Sequence, residues 1–301
     1  MVRSAIVKDR VHLVDASLYI FRAWHSIPND FTDVDGHPVN AVHGFTRFLL
    51  DLLEREQPSH AAIAFDESLT SSFRNAIYPQ YKANRALPPA ELERQFAYCR
   101  EIAAALGLTV LTDTRFEADD LIGSAIEALS GLDCGAVIVS ADKDFGQLVG
   151  ERVEQWDFAR GQRWDAQGVK QRLGVRPDQV ADYLALTGDA IDNIPGVPGI
   201  GAKTAAILLA HFDTLEALIE RADEVAFLRM RGSAAAAMRL REHAALARLS
   251  RRLTVIARDA PVPTSLEAYR RGALDDGVTG RLFDRLRLGP MTRARVRALA
   301  G

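Results

Sequence analysis

Short apolar runs alternate with longer amphipathic segments through the first half of the chain. "VHLVD" (11–15), "HAAIAFD" (60–66), "LTVLTD" (108–113) and "AVIVSAD" (136–142) read as buried strands, enriched in β-branched residues and followed by turn signals. Between them, "GFTRFLLDLLERE" (44–56), "AELERQFAYCREIAAALG" (90–107) and "FEADDLIGSAIEAL" (116–129) carry apolar residues at helical spacing. This alternation predicts an α/β fold with a mostly parallel central sheet flanked by helices. From about residue 178 the pattern becomes helix after helix. The expected division is therefore an α/β unit over 1–177 and a helical unit over 178–301.

Ligands of such sheets bind beyond the carboxyl ends of the strands, and there the chain places acids. Asp15, Asp66 and Asp142 close three of the four strands, and Asp144 follows two residues on. Any one of them reads as an ordinary helix N-cap. All three together, with "EADD" (117–120) opening a helix nearby, ask for more. Glu117 and Asp120 are three apart and share a helix face, whereas Asp119 points roughly 100° away from Asp120. Two unit charges ~4 Å apart repel by about 4 kcal/mol at an effective dielectric near 20. A cluster of carboxylates therefore needs cations or protons to share it. The oxygen-only donor set suits Mg²⁺ or Mn²⁺ better than zinc; the seven histidines and the lone Cys99 and Cys134 show no metal-ligand spacing.

Composition changes this picture little. With 48% hydrophobic residues the chain can build a real core, and no apolar run reaches the ~18 residues of a membrane span. "MVRSAIVKDR" is not a signal peptide, so a soluble, cytoplasmic protein without a membrane partner is expected. The net charge of −3 disfavours nucleic acid only on average, because arginines crowd at 229–241, 251–252 and 293–297, away from the acids. No long exposed apolar stripe is evident, which suggests a monomer.

Two further stretches suggest contact with nucleic acid. In "LTGDAIDNIPGVPGIGAKTAAILLAHF" (186–212), Asp189 and Asp192 again lie three apart. Gly196, Gly199 and Gly201 then form a turn ahead of a helix that starts near Ala202. Glycines at a helix N-terminus present N–H groups to a phosphate, and Lys203 stands in that first turn, one of only five lysines. The stretch is not a P-loop, since Ala202 separates glycine from lysine and no strand precedes it. A helix-hairpin-helix clamp on a DNA backbone fits, with a plain glycine-rich cap as the alternative. The segment 73–96 interleaves Arg74, Lys82, Arg85 and Arg94 with Tyr78 and Tyr81. Cations for phosphates and rings for bases suit a single strand; a solvated loop with its tyrosines folded onto the core is the other reading.

In this order, "LVDASLYIFRAWHSIP", "NAVHGFTRFLLDLL", "AFDES…FRNAIYPQYKANR", "FEADDLIG", "SADKDFGQLV" and "TGDAIDNIPGVPGIGAKTA" resemble the 5′ nuclease family. This family comprises the amino-terminal exonuclease domain of bacterial DNA polymerase I and the flap endonucleases. The resemblance implies a two-metal site. Asp15, Asp66, Glu117, Asp119 and Asp120 would surround one Mg²⁺, and Asp142, Asp144, Asp189 and Asp192 the other, with Mn²⁺ as a substitute. It also implies a helical arch at about 73–96, with Lys82 and Arg85 on the scissile phosphate and Arg74, Tyr81 and Arg94 in support. The clamp at about 186–212 would contact duplex DNA through Gly196, Gly199, Gly201, Lys203 and Thr204, often with a K⁺ ion. The implied substrates are 5′ flaps, single/double-strand junctions and RNA–DNA hybrids, cut to a 5′-phosphate and a 3′-hydroxyl during primer removal or repair. A DNA-binding protein that had lost catalysis would lack one of these acids, and none is missing. A single-strand ribonuclease with a related acidic cluster would lack the clamp and the arch. The tail "RLFDRLRLGPMTRARVRALAG" (281–301) reads equally as a duplex-contacting helix and as an amphipathic helix packed on the core.

Overall fold

The computed structural model describes residues 9–67 and 72–300; residues 1–8, on which the signal-peptide reading rests, lie outside them. Six strands form one sheet: β1 (Asp9–Asp15), β2 (His60–Ala64), β3 (Thr109–Leu111), β4 (Cys134–Val139), β5 (Val153–Asp157) and β6 (Gln162–Trp164). Their order is β3-β2-β1-β4-β5-β6, parallel except for the antiparallel β5–β6 pair. The sequence pattern had not announced β5 and β6. Both are short, and "VEQWD" and "QRW" mix charged and amide side chains into the run.

Alternation along the central strands serves two cores. Val14, Ile63, Val137 and Val139 face a cluster with Phe45, Leu49 and Leu53, while Leu13, Ala62, Ala136 and Ile138 face Leu121, Ile122 and Ala125. The first face is covered by α1 (Ala16–Ser26), α2 (Asn40–Glu56) and, beyond the short α3 (Phe73–Ile77), by α4 (Ala90–Ala105); the second is covered by α5 (Ala118–Leu129). Because β1 pairs with both β2 and β4, the direction of winding reverses between β1 and β4. Register levels Val14 with Ile63 and Val139, so Asp15 and Ser140 leave the carboxyl edge together, and Asp66 follows two residues after Ala64, the partner of Asp15. That crevice is where such sheets bind ligands.

The second half is helical: α6 (Ala166–Leu173), α7 (Val180–Thr187), α8 (Ala202–Phe212), α9 (Leu215–Glu220), α10 (Ser233–Glu242) and α11 (Ala244–Thr254). These helices share a core that includes Val169, Leu184, Leu208, Leu215 and Leu240. The chain then returns to the sheet. Ile256, Ala260 and Tyr269 join the α5-face core, and α12 (Asp276–Arg285) and α13 (Pro290–Ala300) bring Phe283, Leu286 and Val296 into the α2-face core. The tail is thus packed on the sheet unit through its apolar side chains, with Arg281, Arg287 and Arg297 exposed. Arg295 is tied to Asp51 and Glu54 at 2.6 and 2.7 Å, and Arg293 to Asp284 at 2.8 Å. Among the described residues no helix is long and apolar enough to cross a membrane.

Candidate active site

At the carboxyl edge a cavity of about 600 Å³ is lined by Asp15, Asp66, Glu117, Asp119, Asp142, Asp144 and Asp192, with Lys82 and Arg85 on its rim. Local structure supplies each acid. Asp15 ends β1 and caps α1, taking the Leu18 N–H at 3.3 Å and the Ser140 hydroxyl at 3.0 Å. Asp66 accepts the Ser17 hydroxyl and the Ala118 N–H at 2.8 Å, so it fastens the start of α5 to the end of β2. Asp142 caps the turn after β4 by accepting the Asp144 N–H at 3.0 Å. The capping that sequence predicts is real for Asp15 and Asp142 but not for Asp66, since Ser72 caps the helix after β2; all three line the cavity.

Burial and mutual repulsion dominate the electrostatics. Burial first, then the charges of Asp66 and Asp142, push Asp15 up to about 7. Burial and Asp142 push Asp144 to about 8, and its Oδ1 is buried without a hydrogen-bond partner among the described residues. Asp119 is raised well above the ordinary carboxylate range by burial, Asp142 and Asp15. Glu117 behaves oppositely. Burial would raise it, but Lys82 and Arg74 outweigh burial and hold it low. Asp189 is likewise held low against burial by its bond from Lys143. Lys82 pairs with Glu117, Arg85 with Asp192, and Lys143 with Asp189. Among the described residues no three acidic, histidine or cysteine side chains stand together as a ready-made metal cage. The donor set nonetheless fits a hard cation. It is all oxygen, it is crowded enough to favour protons over bare charge, and it holds an orphaned carboxylate oxygen.

Asp120 departs from its expected role as a ligand. It is fully buried and faces away from the cavity, into a fork with Arg74 at 2.7 and 2.8 Å. Glu117 and Asp120 do share a helix face that meets Arg74, with Glu117 at the cavity's edge as well, whereas Asp119 lines the cavity without a bond to Arg74. Arg74 is buried, with no donor left over for a phosphate. Its five N–H donors are all spent, on Asp120 twice, on Glu117 at 2.8 Å, and on the Leu253 and Val255 carbonyls at 2.8 and 3.0 Å. Tyr81 is buried too, donating its hydroxyl to Glu117 at 3.0 Å while its ring packs with Ile194 and Leu253. Arg94 lies on α4 and does not line the cavity. Nor is the expected arch a helix. After α3 the chain makes turns at 79–84 and runs irregularly to Pro89, where α4 begins. Pro79, Pro88 and Pro89 forbid a continuous helix there.

Sequence reasoning missed Ser17, Phe21, Arg22, His25 and Ser26, which line the same cavity from α1. Their signal was spacing, since Leu18, Arg22 and His25 follow Asp15 at helical intervals. Phe21 and His25 also line an adjoining, more apolar cavity of about 420 Å³ together with Trp24, Leu87, Pro88 and Leu92.

The glycine-rich stretch forms a loop between α7 and α8. Gly188 and Gly196 cross at φ +71° and +64°, and a Cβ on Gly196 would meet the Gly188 nitrogen at 2.4 Å. Gly196 is buried and donates its N–H to Ser250 at 3.1 Å, so it shapes the turn rather than facing a phosphate. Val197 and Ile200 sink into the helical core, leaving Gly199, Gly201 and Lys203 exposed and Thr204 half-buried at the start of α8. Arg239 reaches in from α10 to the Gly199 carbonyl at 3.1 Å.

Two family models match in tandem. The 5′-3′ exonuclease N-terminal resolvase-like domain covers residues 10–174, and the 5′-3′ exonuclease C-terminal SAM fold covers residues 175–277. The chain belongs to the 5′-3′ exonuclease family. Among curated relatives of this nuclease family, DNA polymerase I of Rhizobium leguminosarum is 39% identical over 267 residues, which are 86% of this chain and 26% of that protein. The chain therefore spans about a quarter of the length of that relative. Among solved structures, T5 5′-exonuclease with bound zinc has a TM-score of 0.67 at 20% identity, covering 92% of this chain and 99% of that one. The catalytic core of Rad2 in complex with DNA substrate has a TM-score of 0.63 at 15% identity, covering 99% and 95%. At these identities the structural likeness extends the exonuclease-family fold to both halves of the chain.

Proposed function

We propose that the chain is a divalent-metal-dependent 5′ nuclease. It hydrolyses DNA at 5′ flaps and single/double-strand junctions, and RNA–DNA hybrids as well, leaving a 5′-phosphate and a 3′-hydroxyl. The observation that carries this reading is the convergence of seven carboxylates with Lys82 and Arg85 in one cavity at the winding reversal of the sheet. Family membership, the zinc of the T5 enzyme and the DNA of the Rad2 core support it.

Asp15, Asp66, Glu117 and Asp119 would hold one Mg²⁺, and Asp142, Asp144, Asp189 and Asp192 the second, some through water, with Mn²⁺ able to substitute. Bound there, the cations supply Lewis-acid stabilisation of phosphoryl charge and ease deprotonation of the attacking water. Lys82 and Arg85 bind the scissile phosphate and stabilise charge that grows on it. Both are cations in the folded chain. Burial would lower Lys82 and Arg85, but the acids around them, led by Glu117 and Asp192 respectively, raise both. The exposed N-terminus of α8, with Gly199, Gly201, Lys203 and Thr204, holds a duplex phosphate, and a K⁺ ion completes that contact. In this scheme the sheet unit cuts and the helical unit grips, the protein acts as a monomer, and its setting is primer and flap removal in replication and repair.

The test is incubation with a 5′-flap duplex in Mg²⁺ and in chelator, beside an Asp142→Asn/Asp144→Asn double variant. Mg²⁺-dependent cutting near the junction, lost in the variant, is expected. A wild-type protein that binds the flap and leaves it intact in both Mg²⁺ and Mn²⁺ would replace the nuclease reading with a binding role.

A further inference from the structure

Lys82 sits in a strained position. Its φ is +56°, a left-handed conformation that residues with a side chain rarely adopt. Something must hold it there. Its N–H donates to the Asp192 carbonyl at 2.9 Å, across from a second left-handed residue, Asn193, also at φ +56°. The Asn193 amide donates back to the Gln80 carbonyl at 2.7 Å, and the Asn84 amide donates to the Ala190 carbonyl at 2.8 Å. Three hydrogen bonds thus staple the turn that carries Lys82 and Arg85 onto residues 190–193.

That short loop is rigid for its own reasons. Asp189 and Ile194 exchange both backbone hydrogen bonds, at 2.9 and 2.8 Å, closing it at its base. Ile194 packs with Tyr81 and Leu253 beneath the staple. Pro195 and Gly196 follow directly and begin the turn that exposes Gly199, Gly201 and Lys203. A left-handed Asn with a donating side chain therefore stands between the clamp and the catalytic cation. Asn is among the few residues other than glycine that accept φ > 0 readily, and it alone of those offers an N–H to Gln80.

We propose that Asn193 is a positioning residue: it sets Lys82 over the carboxylate cavity and ties the placement of Lys82 to the DNA clamp. The inference rests on the nuclease reading above. Its function is geometric, and a displacement of ~1 Å at a catalytic group can cost about 100-fold in rate.

The experiment compares wild type, Asn193→Gly, Lys82→Ala and the double variant in single-turnover cutting of a 5′-flap duplex in Mg²⁺. Flap affinity is measured separately in Ca²⁺. Glycine relieves the φ requirement, so a purely conformational need would leave Asn193→Gly at the wild-type rate. The expected result is a rate loss of about 10- to 100-fold with affinity changed less than about three-fold. In the Lys82→Ala background, Asn193→Gly should add almost nothing, because the residue acts through Lys82. Asn84→Ala, on the opposite side of the staple, should show the same pattern more weakly and serves if Asn193→Gly unfolds. Wild-type speed in Asn193→Gly, or an equal slowing with and without Lys82, would overturn the positioning role alone. A wild-type protein that does not cut would overturn the nuclease reading and this inference with it.

Discussion

Arg74→Ala separates a structural keystone from a DNA contact. The guanidinium is 3% exposed, and its partner Asp120 is 0% exposed. Burial works against the charge of Arg74, yet the acids around it, led by Asp120, hold it firmly protonated. Its bonds join α3, the start of α5 and the end of α11, three elements far apart in sequence. The pair's net contribution is small, because desolvating two ions offsets most of their attraction. Removing one partner is different, since it strands the other as an uncompensated buried charge. That costs about 3–5 kcal/mol. Arg74→Lys should recover little, because an ammonium has three donors and no fork. The assay is urea unfolding of the metal-free protein at pH 7, followed by far-ultraviolet circular dichroism. Arg74→Ala should lose about 3–5 kcal/mol, and Arg74→Ala/Asp120→Ala should lose less than the sum of the single variants. Stability within about 1 kcal/mol of wild type, with a flap affinity whose salt dependence falls by about one phosphate contact, would refute the keystone argument and restore Arg74 as a DNA contact.

The neighbouring acids of "EADD" should part company: Asp119→Asn should abolish Mg²⁺-dependent cutting while leaving the metal-free protein as stable or more so, because burial and the charges of Asp142 and Asp15 already work against its carboxylate, whereas Asp120→Asn should lower stability. Thermal melts in chelator check both. Gly196→Ala should destabilise by roughly 2 kcal/mol or more from backbone strain and collision with Gly188, while Gly201→Ala, with open space at its Cβ, should leave the melting temperature unchanged. His12 supplies a pH dependence. Burial lowers it from 6.5 to about 4, overriding the raising effect of Glu56. The unfolded chain therefore binds the extra proton between those values, and stability should fall by roughly 3 kcal/mol as pH drops through that window. His12→Val should flatten the slope, and an unchanged slope in urea titrations at pH 4 and 7 would count against this account.

Much of this molecule is written locally. The strand runs that lead to Asp15, Asp66 and Asp142, the helical spacing of α2, α4 and α5, and the glycine turn before α8 depend on residues near in sequence, and all are present in the fold, although β2 and β4 stop at Ala64 and Val139, short of their aspartates. The acidic cavity was legible for the same reason: parallel strands put their carboxyl ends on one edge, so strand-terminal acids must converge. Local pattern could not assign partners. Glu117, Asp119 and Asp120 look alike as a run of carboxylates, and which of them faces the cavity is settled by Arg74 and by carbonyls at 253 and 255. Arg74 and Tyr81 looked like nucleic-acid ligands because cations and rings in a loop have the same composition whether they face solvent or a buried acid. The staple between Lys82 and Asn193 joins turns more than a hundred residues apart. Such contacts depend on which distant groups the fold buries together after closing long loops, and the spacing of residues along a chain does not encode that.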